Sequence, residues 1–201
     1  MSFCYANKIR ERIEKVEPGT VFVVSDFADI ASKETVRRNL SRLTQEDVLR
    51  RVLNGVYEKP KYSHFLEDYI SPNPEYVAKA IARAFNWTIA PSGNSAMNLL
   101  GLTTQVPASW CFLSDGPYRT FEYDNVRIEF KRRTNREIKD LSYMTVLVIQ
   151  ALKALGKENL NAEVISKLKV KLSRKEKDTL LKESQNSTSW IFNVIRQISG
   201  E

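Results

Sequence analysis

Basic and hydroxyl side chains that could read DNA are concentrated between residues 32 and 43. At helical spacing Val36, Leu40 and Leu43 share one face, so the polar side chains project from the remaining surface. Arginine can bond both the O6 and the N7 atom of guanine, while serine and threonine bond phosphates or bases. We therefore expect this helix to enter the major groove of DNA. The residues expected to contact DNA from it are Ser32, Lys33, Thr35, Arg37, Arg38, Ser41 and Arg42.

A β-hairpin with further basic residues is predicted to follow this helix. Asn54-Gly55 separates two runs rich in β-forming residues, 48–53 and 56–58, and this dipeptide is the strongest short hairpin signal. Side chains on such a hairpin reach the phosphate backbone, which positions a domain without reading the base sequence. The residues assigned to phosphate contact are Arg50, Arg51, Asn54 and Lys59.

The elements that must hold these side chains have the order of a winged helix-turn-helix. Apolar spacing predicts a helix over 5–16, a strand over 21–24 and a short helix over 26–31 with Ser25 as its N-cap. Ser32 is the predicted N-cap of the basic helix. Helix, strand, helix, helix and hairpin within about 60 residues is the order of that fold.

The chain is predicted to be an α+β protein with two domains. Residues 1–60 form the winged helix-turn-helix DNA-binding domain, and residues 61–73 form a linker without helical or strand periodicity. Residues 74–201 form a mixed α/β C-terminal domain that ends in a helical region. The elements predicted there are helices over 74–85 and 95–100, strands over 87–90, 110–113, 118–123 and 126–131, and terminal helices over 135–155, 161–167, 174–183 and 187–198.

Composition and charge favour a cytoplasmic protein that binds a polyanion. The 201 residues include 31 Lys+Arg and 24 Asp+Glu, which gives a net charge of +7, and basic residues outnumber acidic ones 15 to 8 over residues 131–201. Two cysteines and one histidine provide neither a disulfide framework nor a standard zinc set. We recognise no signal peptide and no apolar run of membrane-spanning length. We accordingly predict no catalytic, metal-binding or cofactor-binding residues, no cofactor and no membrane partner.

Two blocks of the sequence carry a family resemblance. The first comprises Gly-Thr-Val-Phe at 19–22, Asp-Phe-Ala-Asp-Ile at 26–30, Thr-Val-Arg-Arg-Asn-Leu-Ser-Arg-Leu at 35–43 and Gly-Val-Tyr at 55–57. The second comprises Pro-Ser-Gly-Asn-Ser-Ala at 91–96 and Leu-Leu-Gly-Leu-Thr-Thr-Gln-Val-Pro at 99–107. In this order they resemble the N-terminal winged helix and the C-terminal antitoxin domain of AbiEi-type antitoxins, over about residues 5–135.

This resemblance implies a type IV toxin–antitoxin system, a form of abortive infection used in phage defence. It implies a transcriptional autorepressor that binds double-stranded DNA of its own promoter and whose C-terminal domain counters a nucleotidyltransferase-like toxin, a further implied partner. The chain departs from the family pattern at Asp47, where the family usually has a left-handed Gly that ends the recognition helix. Whether the protein is a monomer or a dimer stays open.

Other functions are also compatible with the sequence. The basic helix could mediate protein contacts, and Asp124, Glu129 and Lys131 around a predicted strand could form an Mg²⁺-dependent nuclease site. Residues 91–95 precede a predicted helix and could bind an anion through backbone N–H groups. The basic run over 167–177 could contact phosphate or be a solvated helix face.

Overall fold

The chain is an α+β protein that divides into two compact units. The computed structural model describes the backbone of residues 2–133 and 140–200, and the side chains from Tyr5 onward within those ranges. The first unit comprises the residues up to Trp87 together with Glu122–Asn125. The second unit comprises Thr88–Phe121 and the described residues from Val126 onward.

Apart from the short helix predicted over 26–31, the first unit begins with helices and strands in the order that the sequence predicts. They are α1 (Ser2–Glu14), β1 (Val21–Val23), a 3-10 turn (Val24–Phe27), α2 (Lys33–Gln45), β2 (Arg50–Leu53) and β3 (Val56–Glu58). The strands form an antiparallel sheet in the order β1-β3-β2. The apolar faces of α1 and α2 pack with the sheet around Phe27, and Ile9, Val36 and Leu40 are fully buried in this core. The burial of these side chains fixes which face of α2 is left in solvent.

Both ends of α2 are closed by local hydrogen bonds. Ser32 is the N-cap, as predicted, and its hydroxyl accepts from the Thr35 N–H at 3.4 Å. At the other end Val48 N donates to Leu43 O at 3.0 Å and Asp47 N donates to Thr44 O at 3.3 Å. This is the Schellman arrangement, and it holds Asp47 at φ +56°. The position that usually carries Gly in the resembled family therefore takes the left-handed conformation here with Asp.

The strain at Asp47 leads to a stability prediction. We expect the Asp47→Gly variant to be more stable than Asp47→Ala by about 1 kcal/mol, because a Cβ disfavours a left-handed backbone and glycine has none. The comparison uses two variants that both lack the carboxylate, so the backbone preference is isolated. Urea denaturation of both proteins measures the difference. Equal stability would show that the left-handed conformation at residue 47 is not retained in solution.

The short helix predicted over 26–31 is replaced by the 3-10 turn, which ends at Phe27. Ser25 is not its N-cap: the Asp26 carboxylate accepts from the Val23 N–H at 2.9 Å instead. Because the carboxylate bonds back to the residue before the turn, the backbone is held tightly there. Irregular turns then lead to Ser32, the N-cap of α2.

Two further elements of the first unit differ from the predicted domain plan. The predicted linker contains a small hairpin of β4 (Tyr62–Ser63) and β5 (Asp68–Tyr69). Helix α3 (Pro74–Phe85) is predicted from the sequence to lie in the C-terminal domain. In the structure it belongs to the first unit. Its Arg83 donates to Asp26 Oδ1 at 3.0 Å and to Val21 O at 3.0 Å. The compact units therefore divide after Trp87 and not at the predicted linker.

The second unit combines a small mixed sheet with a cluster of helices. Its elements are β6 (Ile89–Pro91), α4 (Asn94–Leu99), β7 (Trp110–Ser114), β8 (Arg119–Tyr123), β9 (Val126–Arg132), α5 (Tyr143–Leu155), α6 (Ala162–Lys171), α7 (Arg174–Glu183) and α8 (Ser189–Ser199). The sheet order is β6-β7-β9-β8, with β7 and β9 parallel. The last two residues of β8 and the turn that follows, together Glu122–Asn125, are assigned to the first unit.

The C-terminal helices enclose their own apolar core. Val148, Leu152, Leu168, Leu180 and Ile195 are fully buried in it. The long helix predicted over 135–155 is seen as α5 from Tyr143, and residues 134–139 lie outside the described part of the chain. Within that described part, each helix is too short or too polar to cross a lipid bilayer.

Candidate nucleic-acid interface

The solvent-facing side of α2 is basic. Lys33, Arg37, Arg38 and Ser41 are all exposed, because the three apolar residues of the helix face the core. Within the described ranges, the side chains of Lys33, Arg37 and Arg38 form no ion pair. Their charges are therefore available to an anionic partner. The same helix face also carries exposed Glu34 in the first turn.

Ser32 and Thr35 serve mainly to begin the helix. The Ser32 hydroxyl accepts from the Thr35 N–H and donates to Thr35 Oγ1 at 3.1 Å. Asn39 Nδ2 in turn donates to Thr35 O at 2.8 Å. Both hydroxyls thus lie near the start of α2, where they hold the first turn in place for the exposed lysine and arginines.

Arg42 differs from the other arginines of α2 because it has a partner on its own helix. Its Nε lies 3.3 Å from Glu46 Oε1, and Glu46 also pairs with Arg10 of α1. Arg42 is still more than half exposed, so this ion pair restrains it without burying it. It can exchange the carboxylate for a phosphate at modest free-energy cost.

The tip of the β2–β3 hairpin carries a second exposed cation. Arg51 is exposed, and its Nη2 donates to Asn54 Oδ1 at 2.7 Å. Asn54 is itself exposed at the turn, and Gly55 has φ +79°, a conformation that favours glycine. The hydrogen bond holds the guanidinium group at the hairpin tip, where it can meet a phosphate.

Arg50 has a structural role within the first unit. Its Nη2 donates to Glu58 Oε2 at 2.6 Å and to Ile70 O at 2.8 Å, and its Nε donates to Glu58 Oε2 at 3.1 Å. Glu58 is only 1% exposed. Burial raises the pKa of the Glu58 carboxyl, and the Arg50 guanidinium opposes that rise. Arg50 therefore supplies the counter-charge for the buried Glu58 carboxylate.

The register of the hairpin explains why this ion pair is hard to predict. A two-residue turn at Asn54-Gly55 that closes on Leu53 opposite Val56 would place Arg50 opposite Lys59. An irregularity between Arg51 and Leu53 shifts the register, so Arg50 lies opposite Glu58. The sequence carries no clear signal for this bulge.

Lys59 also bonds inside the first unit, with two of the three donors of its ammonium group. Its Nζ donates to Glu14 O at 3.0 Å and to Val16 O at 2.8 Å. The Glu14 carbonyl is at the C-terminal end of α1 and the Val16 carbonyl lies just beyond it, where the helix dipole favours a cation. Among the predicted contact residues, the structure therefore brings together on α2 Lys33, Arg37, Arg38, Ser41 and Arg42. It places Arg51 and Asn54 on the hairpin. The other two predicted hairpin contacts, Arg50 and Lys59, bond within the fold instead.

The residues considered for a nuclease site lie in different surroundings. Glu129 Oε1 lies 3.1 Å from Arg127 Nε, and its Oε2 lies 3.8 Å from Lys131 Nζ and accepts from Cys111 Sγ at 3.7 Å. Asp124 belongs to the first unit and accepts from Ser71 Oγ at 3.0 Å. In the part of the chain that the structure describes, no three histidine, cysteine or acidic side chains are grouped as metal ligands.

Comparison with known families identifies the group to which the chain belongs. The family DUF6088, described as a family of unknown function, matches residues 8–181. Because the match spans most of the 201 residues, the chain belongs to this family. No curated protein matches the chain.

Proposed function

We propose that the protein is a DNA-binding transcriptional autorepressor whose first unit works as a winged helix-turn-helix. In this proposal α2 enters the major groove and the β2–β3 hairpin is the wing that contacts the backbone. The observation that carries the proposal is a row of exposed cations on α2, Lys33, Arg37 and Arg38, that form no ion pair with any residue the structure describes.

Three features of the first unit support this assignment. The order α1, β1, 3-10 turn, α2 and hairpin, with the sheet order β1-β3-β2, supports a winged helix-turn-helix in which the turn takes the place of the second helix. Both ends of α2 are closed by hydrogen bonds, so its exposed side chains project from a well-defined helical backbone. Arginine predominates on the exposed face, and its planar guanidinium suits both guanine edges and phosphates.

The antitoxin half of the proposal rests on the resemblance to the AbiEi-type antitoxins. We propose that the protein represses its own promoter in the cytoplasm and counters a nucleotidyltransferase-like toxin of a type IV system. The second unit, which has a separate apolar core, is the part we assign to the toxin. This division separates DNA binding from neutralisation along the chain.

Fluorescence anisotropy with duplex DNA from upstream of the gene tests the DNA-binding proposal. The full-length protein is expected to bind this duplex more tightly than a shuffled duplex of the same composition and length. Preference for the native sequence supports a repressor. Equal or undetectable binding to both duplexes would contradict it and would favour a protein-interaction role for α2.

Arg51 provides a prediction about the wing. We expect Arg51→Ala to weaken binding to all duplexes alike and to lower the slope of log affinity against log salt by about 0.9, because one phosphate contact is lost. The matched control is Lys15→Ala, an exposed lysine after α1 that the proposal does not place on DNA. Titration at several salt concentrations measures the slope. An unaltered slope with a changed base preference would instead place Arg51 among the residues that read bases.

A further inference from the structure

A basic cleft lies in the second unit, away from the residues assigned to DNA. Its volume is about 1150 Å³. Lys131, Arg132 and Arg133 at the end of β9 line one side, and Lys153 in the last turn of α5 lines another. The loop after β6 contributes Ser92 and Gly93, and Gln150 adds a polar side chain. Three separate elements of the unit thus bring basic and polar groups to one concave surface.

The sheet places Lys131 and Arg132, the last residues of β9, and Arg133, which follows them, at the cleft. Strands β7 and β9 are parallel, so their carboxyl ends lie at the same edge of the sheet. Leu113 lies opposite Lys131, and the Arg133 N–H extends the ladder by donating to Ser114 O at 2.9 Å. Leu113 packs with Val146 of α5, which holds that helix beside the strand ends.

The charges in the cleft are unbalanced. All four basic side chains are exposed, and Arg132, Arg133 and Lys153 form no ion pair with any residue that the structure describes. Lys131 lies 3.8 Å from Glu129 Oε2, a distant partner. The one carboxylate among the lining residues, Asp115, accepts from the Thr88 N–H at 2.9 Å. Among the lining residues that the structure describes, four cations lie beside one carboxylate on a concave surface, and this balance makes the local potential positive.

The shape of the cleft favours a compact anion. Gly93 lines it with φ +59°, and a Cβ at that position would meet nothing within 4 Å. A ligand in the cleft can therefore approach the backbone of Gly93 closely. The cations converge from β9 and α5, whereas an extended nucleic-acid strand is normally followed by a stripe of charges. Arginine pairs with phosphate through two parallel hydrogen bonds, and lysine adds a point charge.

We propose that this cleft binds a compact polyphosphate, the pyrophosphate-type group found in nucleoside diphosphates and triphosphates. Two adjacent phosphates provide several acceptor oxygens and enough negative charge to neutralise the cations from β9 and α5. Pockets for small ligands usually measure about 300–1,000 Å³, so the cleft has room for a nucleoside beside the phosphates. The site is independent of α2 and does not rest on the DNA-binding proposal.

Isothermal titration of the full-length protein with inorganic pyrophosphate, ATP and orthophosphate tests the proposal. We expect saturable binding of pyrophosphate and ATP that is tighter than binding of orthophosphate. Lys153→Glu and Arg132→Glu are each expected to weaken pyrophosphate binding by about tenfold or more. The neutral variant Lys153→Gln should weaken it less, and circular dichroism checks that each variant is folded.

Lys175→Glu is the matched control, because Lys175 is exposed on α7, lies outside the cleft and undergoes the same change in charge. This control is expected to bind pyrophosphate as the wild type does. An equal loss in Lys175→Glu would show general attraction to a basic protein and overturn the proposal. Absence of saturable pyrophosphate binding at millimolar concentration would also overturn it. Lys153-dependent binding of a single-stranded oligonucleotide without pyrophosphate binding would assign the cleft to nucleic acid instead.

Discussion

Replacement of Arg50 by methionine is expected to destabilise the first unit by about 3 kcal/mol at pH 7. The change removes three hydrogen bonds from the guanidinium group and leaves the Glu58 carboxylate buried without a counter-charge. Breaking a buried ion pair by removing one partner typically costs about 3–5 kcal/mol, and the lower value applies because Arg50 is partly exposed. The loss of stability can be measured by native-state hydrogen exchange of the β3 amides, whose exchange reports opening of the first unit.

Two further variants check the cause of that loss. Arg51→Met makes the same substitution at the exposed neighbour and is expected to change stability by no more than about 0.5 kcal/mol. The double variant Arg50→Met/Glu58→Met replaces the ion pair with apolar side chains and should recover most of the stability. A double variant as unstable as Arg50→Met would show that the buried charge is not the cause.

The Arg50→Met effect should depend on pH in a defined direction. Burial already raises the pKa of Glu58, and Asp124 contributes to the rise, so removal of Arg50 raises it further. When the pKa of a carboxyl is raised in the folded state, protonation of that carboxyl stabilises the fold. This stabilisation is lost as the pH rises through the folded-state pKa. The difference between variant and wild type should therefore be largest at neutral pH and should shrink on acidification.

Replacement of Arg38 by alanine is expected to weaken binding to the native duplex by about 1–3 kcal/mol, or about 5- to 150-fold, and to relax the sequence preference. Arg38 is exposed on α2 opposite the apolar residues and has no ion-pair partner in the described chain. A guanidinium that bonds one guanine edge would explain both effects. Anisotropy titrations against a set of single-base variants of the duplex measure them.

The same variant tests whether repression and neutralisation are separable. Lys15→Ala serves as the control, and equal melting temperatures establish that both proteins are folded. In cells, Arg38→Ala should derepress a promoter reporter while still relieving growth arrest by the toxin. Unchanged affinity and base preference would show that Arg38 does not contact the DNA. Loss of growth rescue together with repression would mean that neutralisation operates through DNA occupancy.

The basic face of α2 could be predicted because its determinants are local. The periodicity of Val36, Leu40 and Leu43 fixes the buried side, and the hydroxyl of Ser32 fixes the first turn. Each of these signals acts over a few residues, so the sequence alone carries it. The structure bears out the helix and its cap, and the contact with DNA stays a prediction.

The partners of Arg50 and Lys59 could not be predicted because they depend on contacts between distant segments. A bulge decides which residue faces Arg50, and the end of α1 lies more than forty residues from Lys59 in the chain. The cleft was missed for the same reason. Only the parallel pairing of β7 with β9 and the packing of α5 bring Lys131 and Lys153 to one surface.

The position of β3 has a consequence for biosynthesis. In the sheet order β1-β3-β2 the central strand is the last of the three to be translated. Until Glu58 has left the ribosome, neither β1 nor β2 has its neighbour, although α1 and α2 are already complete. The β2–β3 hairpin forms locally, and β1 must then pair across about 35 residues, a slower step in chain folding. A nascent chain arrested before Val56 is therefore expected to be readily cleaved by protease, and one extended beyond residue 87 to be protected.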